Sequence, residues 1–175
     1  KDSQESVESL IKKHLAGNND PKLPRVYSDK TKEIMYEIKA VARKFNLPDF
    51  YKGVQHKFGT SKKDITIEHL TPHSQKEEME KRGIEVNDLG NFVPVGKKLN
   101  KERGHIPLKE WFRIHPDYFQ NAHEALKEYE KVDSPSINGK KWVEDIKKTL
   151  NREMGYLAFT GKNIKKQIIQ AFPSS

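Results

Sequence analysis

"DITIEHLTPH", residues 64–73, opens as a strand and ends as something else. Ile65 and Ile67 alternate with Thr66 and Glu68, the period-2 pattern of a strand with one buried face. At its end a carboxylate, Glu68, stands beside an imidazole, His69, shortly before Pro72. Neighbouring side chains on a strand point to opposite faces, so the pair cannot grip one ion while the strand stays regular. They can flank one phosphate from two sides if the chain bends there. The carboxylate would then hold a hard cation while the imidazole deprotonates water near neutral pH. Phosphodiester hydrolysis needs both, an activated nucleophile and a cation for the developing charge.

Further ligands are expected in "DLGNFVPVGKKLNKERG", residues 88–104. Asn91 follows a glycine turn, and Asn100 sits on the helix expected after a second short strand, "NFVPV", which Pro94 demotes to an edge or irregular strand. An amide oxygen is a neutral, hard ligand suited to Mg²⁺ or Mn²⁺. Lys97, Lys98, Lys101 and Arg103 surround Asn100. Such a run is usually a solvated face, but here Lys101 and Arg103 are expected to contact phosphate. His73 makes H-x-x-x-H with His69, a zinc spacing only on a continuous helix, which Pro72 opposes. It is read as a loop residue near the substrate. His105, after Gly104, is placed to contact a phosphate or to cap the helix end.

The bulk composition is compatible with this chemistry. The 175 residues carry 33 Lys and Arg against 25 Asp and Glu, a net charge of +8. That surplus suits a polyanion such as nucleic acid, though a lysine-rich solvated surface would look the same. There is no cysteine, which excludes disulfides and thiolate metal sites. No apolar run approaches the roughly 20 residues needed to cross a bilayer, and no G-x-x-x-x-G-K-[ST] phosphate loop occurs. No membrane partner and a cytoplasmic location are expected. The chain opens on Lys1 rather than methionine, which suggests a piece of a longer protein.

Helical periodicity dominates the rest. A first helix is expected over residues 3–17, capped by Ser3 and stopped by Gly17. A stronger one spans residues 31–45, with Ile34, Ile38, Val41 and Phe45 on one face, and "NLPDFYKG" breaks it. A short helix is expected within residues 73–88, and one or two interrupted at Pro116 within residues 107–132. A long amphipathic helix runs through Trp142, Ile146, Leu150 and Leu157, and a last one covers residues 163–172. Trp111, Phe112, Trp142 and Tyr156 are expected in the core rather than as base-stacking platforms. The fold class is therefore α+β, mainly helical, with one small strand pair.

Taken in order, "IEHLTPHS" and "DLGNFVPVGKKLNKERGHIPLKEW" resemble the HNH nucleases. More narrowly, the chain resembles the C-terminal nuclease domain of GmrSD-type modification-dependent restriction enzymes. That family shows an E-H-[IL]-x-P strand, an L-G-N turn, a later Asn and a tryptophan-led helix, which "KWVEDIKKTL" resembles. The match is strong from Ile65 to Trp111 and weaker from Trp142 to Phe159. It implies a ββα-metal hairpin–helix motif embedded in a helical domain. Residues 1–53 would then form an N-terminal helical segment, and residues 54–175 the nuclease domain.

By matching position, the resemblance makes His69 the general base and Glu68 and Asn100 the ligands of one divalent metal, Mg²⁺ or else Mn²⁺. Asn91 would hold the loop carrying the base through hydrogen bonds to its backbone. Glu68 stands where many members have Asp or His, and Asn100 where many have His. Also implied are double-stranded DNA as substrate, an N-terminal NTPase-like sensor in the full-length protein, and a role in bacterial antiphage defence. Three rival readings are a non-catalytic basic DNA-binding module, an RNase or colicin-like toxin using the same motif, and a helical adaptor. The adaptor leaves the Glu–His pair unexplained.

Overall fold

The computed structural model describes residues 26–58 and 65–155 of the chain. The helices expected over residues 3–17 and 163–172, and the segment holding Tyr156, Leu157 and Phe159, lie outside the described residues. The architecture is α+β. Two antiparallel hairpins, β1–β2 and β3–β4, are surrounded by helices. The strands are β1 (Pro48–Asp49), β2 (Gly53–Lys57), β3 (Ile65–His69) and β4 (Phe92–Gly96). The helices are α1 (Asp29–Lys44), α2 (Lys76–Lys81), α3 (Lys97–Arg103), α4 (Leu108–Ile114), α5 (Pro116–Tyr129) and α6 (Gly139–Met154).

Local chemistry sets most boundaries. Ser28 caps α1 by accepting from the Thr31 N–H at 3.2 Å. The helix buries Ile38, Val41 and Ala42, with Ile34 and Phe45 partly covered. Pro116 does divide two helices: it opens α5 at the first turn, where its missing N–H costs nothing. Asn138 caps α6, and Gly155, at φ +79°, ends it in the left-handed conformation. The helix expected to run on through Leu157 therefore stops at Met154.

β3 and β4 pair in a regular register, from Ile65 opposite Gly96 to His69 opposite Phe92. Pro94 sits opposite Ile67 in this two-stranded sheet, where each strand has an open edge to host it. The Pro94 carbonyl accepts from the Phe50 N–H at 3.1 Å. The buried Asp49 carboxylate joins the hairpins. One oxygen accepts from the Tyr51 and Lys52 N–H groups at 2.8 and 3.0 Å, the other from the Gly96 N–H at 2.7 Å.

One hydrophobic core gathers α1, both hairpins and α4 to α6, with Trp142, Tyr129, Phe50 and Phe92 among its largest members. Trp111, Phe112 and Trp142 are buried, as their helical spacing implied. The expected division between residues 53 and 54 runs through this core. Ile38, Leu47, Phe50 and Tyr51 pack in the same cluster as Val93 and Ile146, so α1 and β1 form one packed unit with β4 and α6.

A candidate active site around the end of β3

β3 stays regular through its last residue, so Glu68 and His69 diverge to opposite faces. The site is thereby divided between two sides of one strand end.

On one face, the His69 ring lies at right angles to its cross-strand neighbour Phe92, with centroids 4.9 Å apart. His73, from the turn after Pro72, meets it edge-on at 5.3 Å, and Tyr27 stacks at 6.1 Å. His69 Nε2 is 3.0 Å from Asn87 Oδ1; an amide oxygen accepts, so this ring nitrogen donates. His69 is 5% exposed. His73 is half-buried and does not share a helix with His69. Among the described residues no cluster of three or more His, Cys, Asp or Glu is placed to hold a metal.

Asn91 holds the chain just past His69. Its Oδ1 accepts from the Thr71 N–H at 2.7 Å, and its Nδ2 donates to the carbonyls of Thr71 and Val86 at 3.0 and 2.8 Å. The Leu70 N–H donates to the Asn91 carbonyl at 3.0 Å. The turn carrying Asn91 is seated against α6 at Gly90, where a Cβ would come within 2.7 Å of Asp145 Cβ. The Thr149 hydroxyl donates to the Gly90 carbonyl at 2.8 Å. From the same helix, Arg152 donates to the Thr71 hydroxyl at 2.8 Å, a tie to the loop after His69.

On the other face lie Thr66, Glu68 and α3. Asn100 Nδ2 donates to Thr66 Oγ1 at 2.9 Å and to the Ile67 carbonyl at 3.3 Å. With the nitrogen so engaged, the oxygen is the amide atom left to meet a cation. Asn100 lines an open cleft of about 500 Å³ together with Thr66, Lys97, Lys101 and Glu102. Lys98 is exposed outside that lining, and His105 is exposed beyond Gly104, whose N–H closes α3 onto the Asn100 carbonyl.

Arg103 requires a correction. Expected at a phosphate, it is 1% exposed, and its donors are taken inside the protein. Nη1 donates to the His69 carbonyl at 2.8 Å, Nη2 to the Leu70 carbonyl at 2.7 Å, and Nε to the Ile106 carbonyl at 2.9 Å. The physical reason is helical phase: Asn100 and Arg103, three apart, share the face that α3 turns to β3, whereas Lys97, Lys98 and Lys101 are exposed.

Glu68 shares that interior. Its Oε1 lies 3.5 Å from Arg103 Nη1, and the side chain is 3% exposed. Burial pushes the Tyr51 hydroxyl well above its ordinary range; Arg103 opposes this and Glu68 adds to it. Burial alone would lower the Arg103 guanidinium, but Tyr51 and Glu68 together leave it raised.

Asn100 is the expected ligand whose amide oxygen could meet a divalent cation in the cleft. At Glu68 a cation would share an enclosed carboxylate with the Arg103 guanidinium, which faces Oε1. Of the ligands expected from the sequence, only Asn100 lines the cleft. Asn87 and Arg152 were missed. Asn87 stands in a turn-rich run with no pattern to separate it from a loop residue, and Arg152 looks like any cation in a helix's last turn.

No family model, curated protein or solved structure matches this chain.

Proposed function

We propose that this chain is a metal-dependent endonuclease domain of the HNH type, with β3, β4 and α3 as a ββα-metal unit acting on DNA. One observation carries the reading. In the β3–β4 pair the first strand ends in His69 and the second runs directly into α3, whose Asn100 is tied back to β3, while Asn91 pins the backbone just past His69. Three chemistry-bearing side chains, far apart in sequence, are thus referred to one strand end.

His69, whose Nε2 donates to Asn87, would take a proton from water at Nδ1, and the water oxygen would attack phosphorus in line, breaking the bond to the 3′ oxygen. A 5′-phosphate and a 3′-hydroxyl result once the leaving oxygen is protonated from solvent. A divalent ion held at Asn100, on the face of β3 opposite His69, would supply neutralising charge for a phosphate lying across the strand end between the two. Lys97 and Lys101, which line the cleft, would contact backbone phosphates. These contacts carry no base information, so nicking or low-specificity cutting is the expected outcome. The resemblance further suggests an NTPase-like sensor elsewhere in the full-length protein and a part in antiphage defence.

The test is plasmid nicking by wild type and His69→Ala, each with Mg²⁺, Mn²⁺ or EDTA. Metal-dependent nicking by wild type is expected, lost in a variant that still binds DNA. Equal nicking by both proteins would end the assignment. Salt-sensitive binding without cleavage by either would favour a non-catalytic binding module.

A further inference from the structure

We propose that Arg103 and Glu68 form a buried positioning pair for His69, in which Glu68 is the counter-ion of Arg103 and not a ligand of the metal. The positioning half rests on the nuclease reading above; the counter-ion half does not.

The guanidinium of Arg103 holds two consecutive peptide units, those after His69 and after Leu70. Its two terminal nitrogens take the consecutive carbonyls of His69 and Leu70, at 2.8 and 2.7 Å. Its third nitrogen anchors on the Ile106 carbonyl at 2.9 Å, beyond the end of its own helix. A rigid fork bonded to successive carbonyls fixes the peptide planes after His69 and after Leu70 relative to each other, which a single-point donor cannot do; the first of these bears on His69. That plane sets where the Cα–Cβ bond of His69 points. Asn91 grips the next stretch, at Thr71, from the opposite direction.

A guanidinium with 1% exposure needs a compensating charge, because an unpaired buried cation is strongly destabilising. Glu68 meets that need: it comes from the residue before His69, is 3% exposed, and lies 3.5 Å away. The Tyr51 hydroxyl completes the cluster, 3.4 Å from Arg103 Nη1 and hydrogen-bonded to Glu68. A cation placed beside Oε1 would sit against the Arg103 guanidinium. The Glu–His adjacency in the sequence then has a structural meaning: one residue ties the strand end to α3 so that the next is aimed.

The two roles predict opposite signs in metal-free buffer. A metal-binding carboxylate without its metal is a liability, so its neutralisation leaves stability unchanged or raises it. A counter-ion is an asset, so its neutralisation exposes Arg103. With EDTA present, Glu68→Gln should lower the urea midpoint by about 1.5 M or more. A midpoint equal to or above wild type overturns the counter-ion role. Should Glu68→Gln fail to fold, Glu68→Leu combined with Arg103→Met removes both charges together. Both this double variant and Arg103→Met alone lack the three backbone hydrogen bonds, so a midpoint above that of Arg103→Met supports the pair and one no higher overturns it.

Positioning is read separately, from the imidazole ¹H–¹⁵N signals of His69, assigned by their loss in His69→Gln. Arg103→Lys keeps the charge but not the fork. It should hold most of the urea midpoint while the His69 ring signals move and those of His115, stacked on Tyr118 at 4.4 Å, stay in place. His69 signals unmoved in Arg103→Lys would overturn positioning. Neither readout requires cleavage, so a chain that fails to nick DNA removes the nuclease reading, and the purpose of positioning with it, without touching the counter-ion role of Glu68.

Discussion

Replacing Asn91 by alanine should cost this protein far more than the loss of one surface amide. The side chain is 2% exposed and makes three hydrogen bonds, at 2.7, 3.0 and 2.8 Å, all to backbone groups of Thr71 and Val86. Each bond contributes about 1 kcal/mol net, and a buried backbone group left without its partner costs about 1–3 kcal/mol. Partial relaxation and water entry overlap with these terms, so the loss should be about 3–4 kcal/mol. With a urea m value of about 2 kcal/mol/M, the midpoint falls by about 1.5–2 M.

Asn91→Asp sharpens the test. It keeps the oxygen that accepts from the Thr71 N–H but turns the donor into an oxygen facing two carbonyls, of Thr71 and Val86. The neutral acid can still donate to one of them; the carboxylate cannot. Its folded pKa must rise above the unfolded value of about 3.9, so the folded state holds the proton longer. Stability then falls as pH rises from about 4 through the folded value, which is the reverse of an ion-paired carboxylate. Urea melts at several pH values, each referenced to wild type, measure this directly. An Asn91→Ala midpoint within about 0.3 M of wild type, or a flat profile for Asn91→Asp, would refute the reasoning.

Burial raises the hydroxyls of both Tyr51 and Tyr129 well above their ordinary range, so the stability they contribute is intact below about pH 10 and lost as pH climbs beyond it. Tyr129→Phe, which removes the 2.7 Å bond to the Pro48 carbonyl, should cost about 1–2 kcal/mol at neutral pH and soften the alkaline decline in urea midpoint. Gly90→Ala would drive a Cβ to 2.7 Å from Asp145 Cβ and lift the turn carrying Asn91 off α6, costing about 1–3 kcal/mol by urea melting. Lys97→Gln and Lys101→Gln should each flatten the salt dependence of DNA binding by about one unit in log–log slope, with exposed Lys131→Gln as an unchanged control.

Periodic elements were the legible part of the chain. The apolar faces of α1 and α6 could be read from their 3.6-residue spacing, and β3 from the alternation of Ile65 and Ile67. The β1–β2 hairpin could not. β1 is two residues long, and β2 buries only Gly53, so no alternation exists to be read. It is held instead by Asp49, Asn121 and Tyr129, whose partners are set by the fold. The segment read as a mere helix breaker is for the same reason part of the main core.

The same division runs through the candidate site. From local properties alone, strand alternation and turn residues, the chain marks Glu68, His69 and Asn91 but neither Asn87 nor Arg152. It also determined that Glu68 and His69 must face apart, since a regular strand allows nothing else. What lies opposite each of them is set by packing. Helical phase carried Arg103 inward to the carbonyls of His69 and Leu70 and left Lys97 and Lys101 outside, although all three belong to one basic run. A charge in a sequence has a sign but no depth. Burial, which turns Arg103 from a phosphate contact into an internal clamp and Glu68 into its counter-ion, arises only when β3, α3 and Tyr51 close on one another.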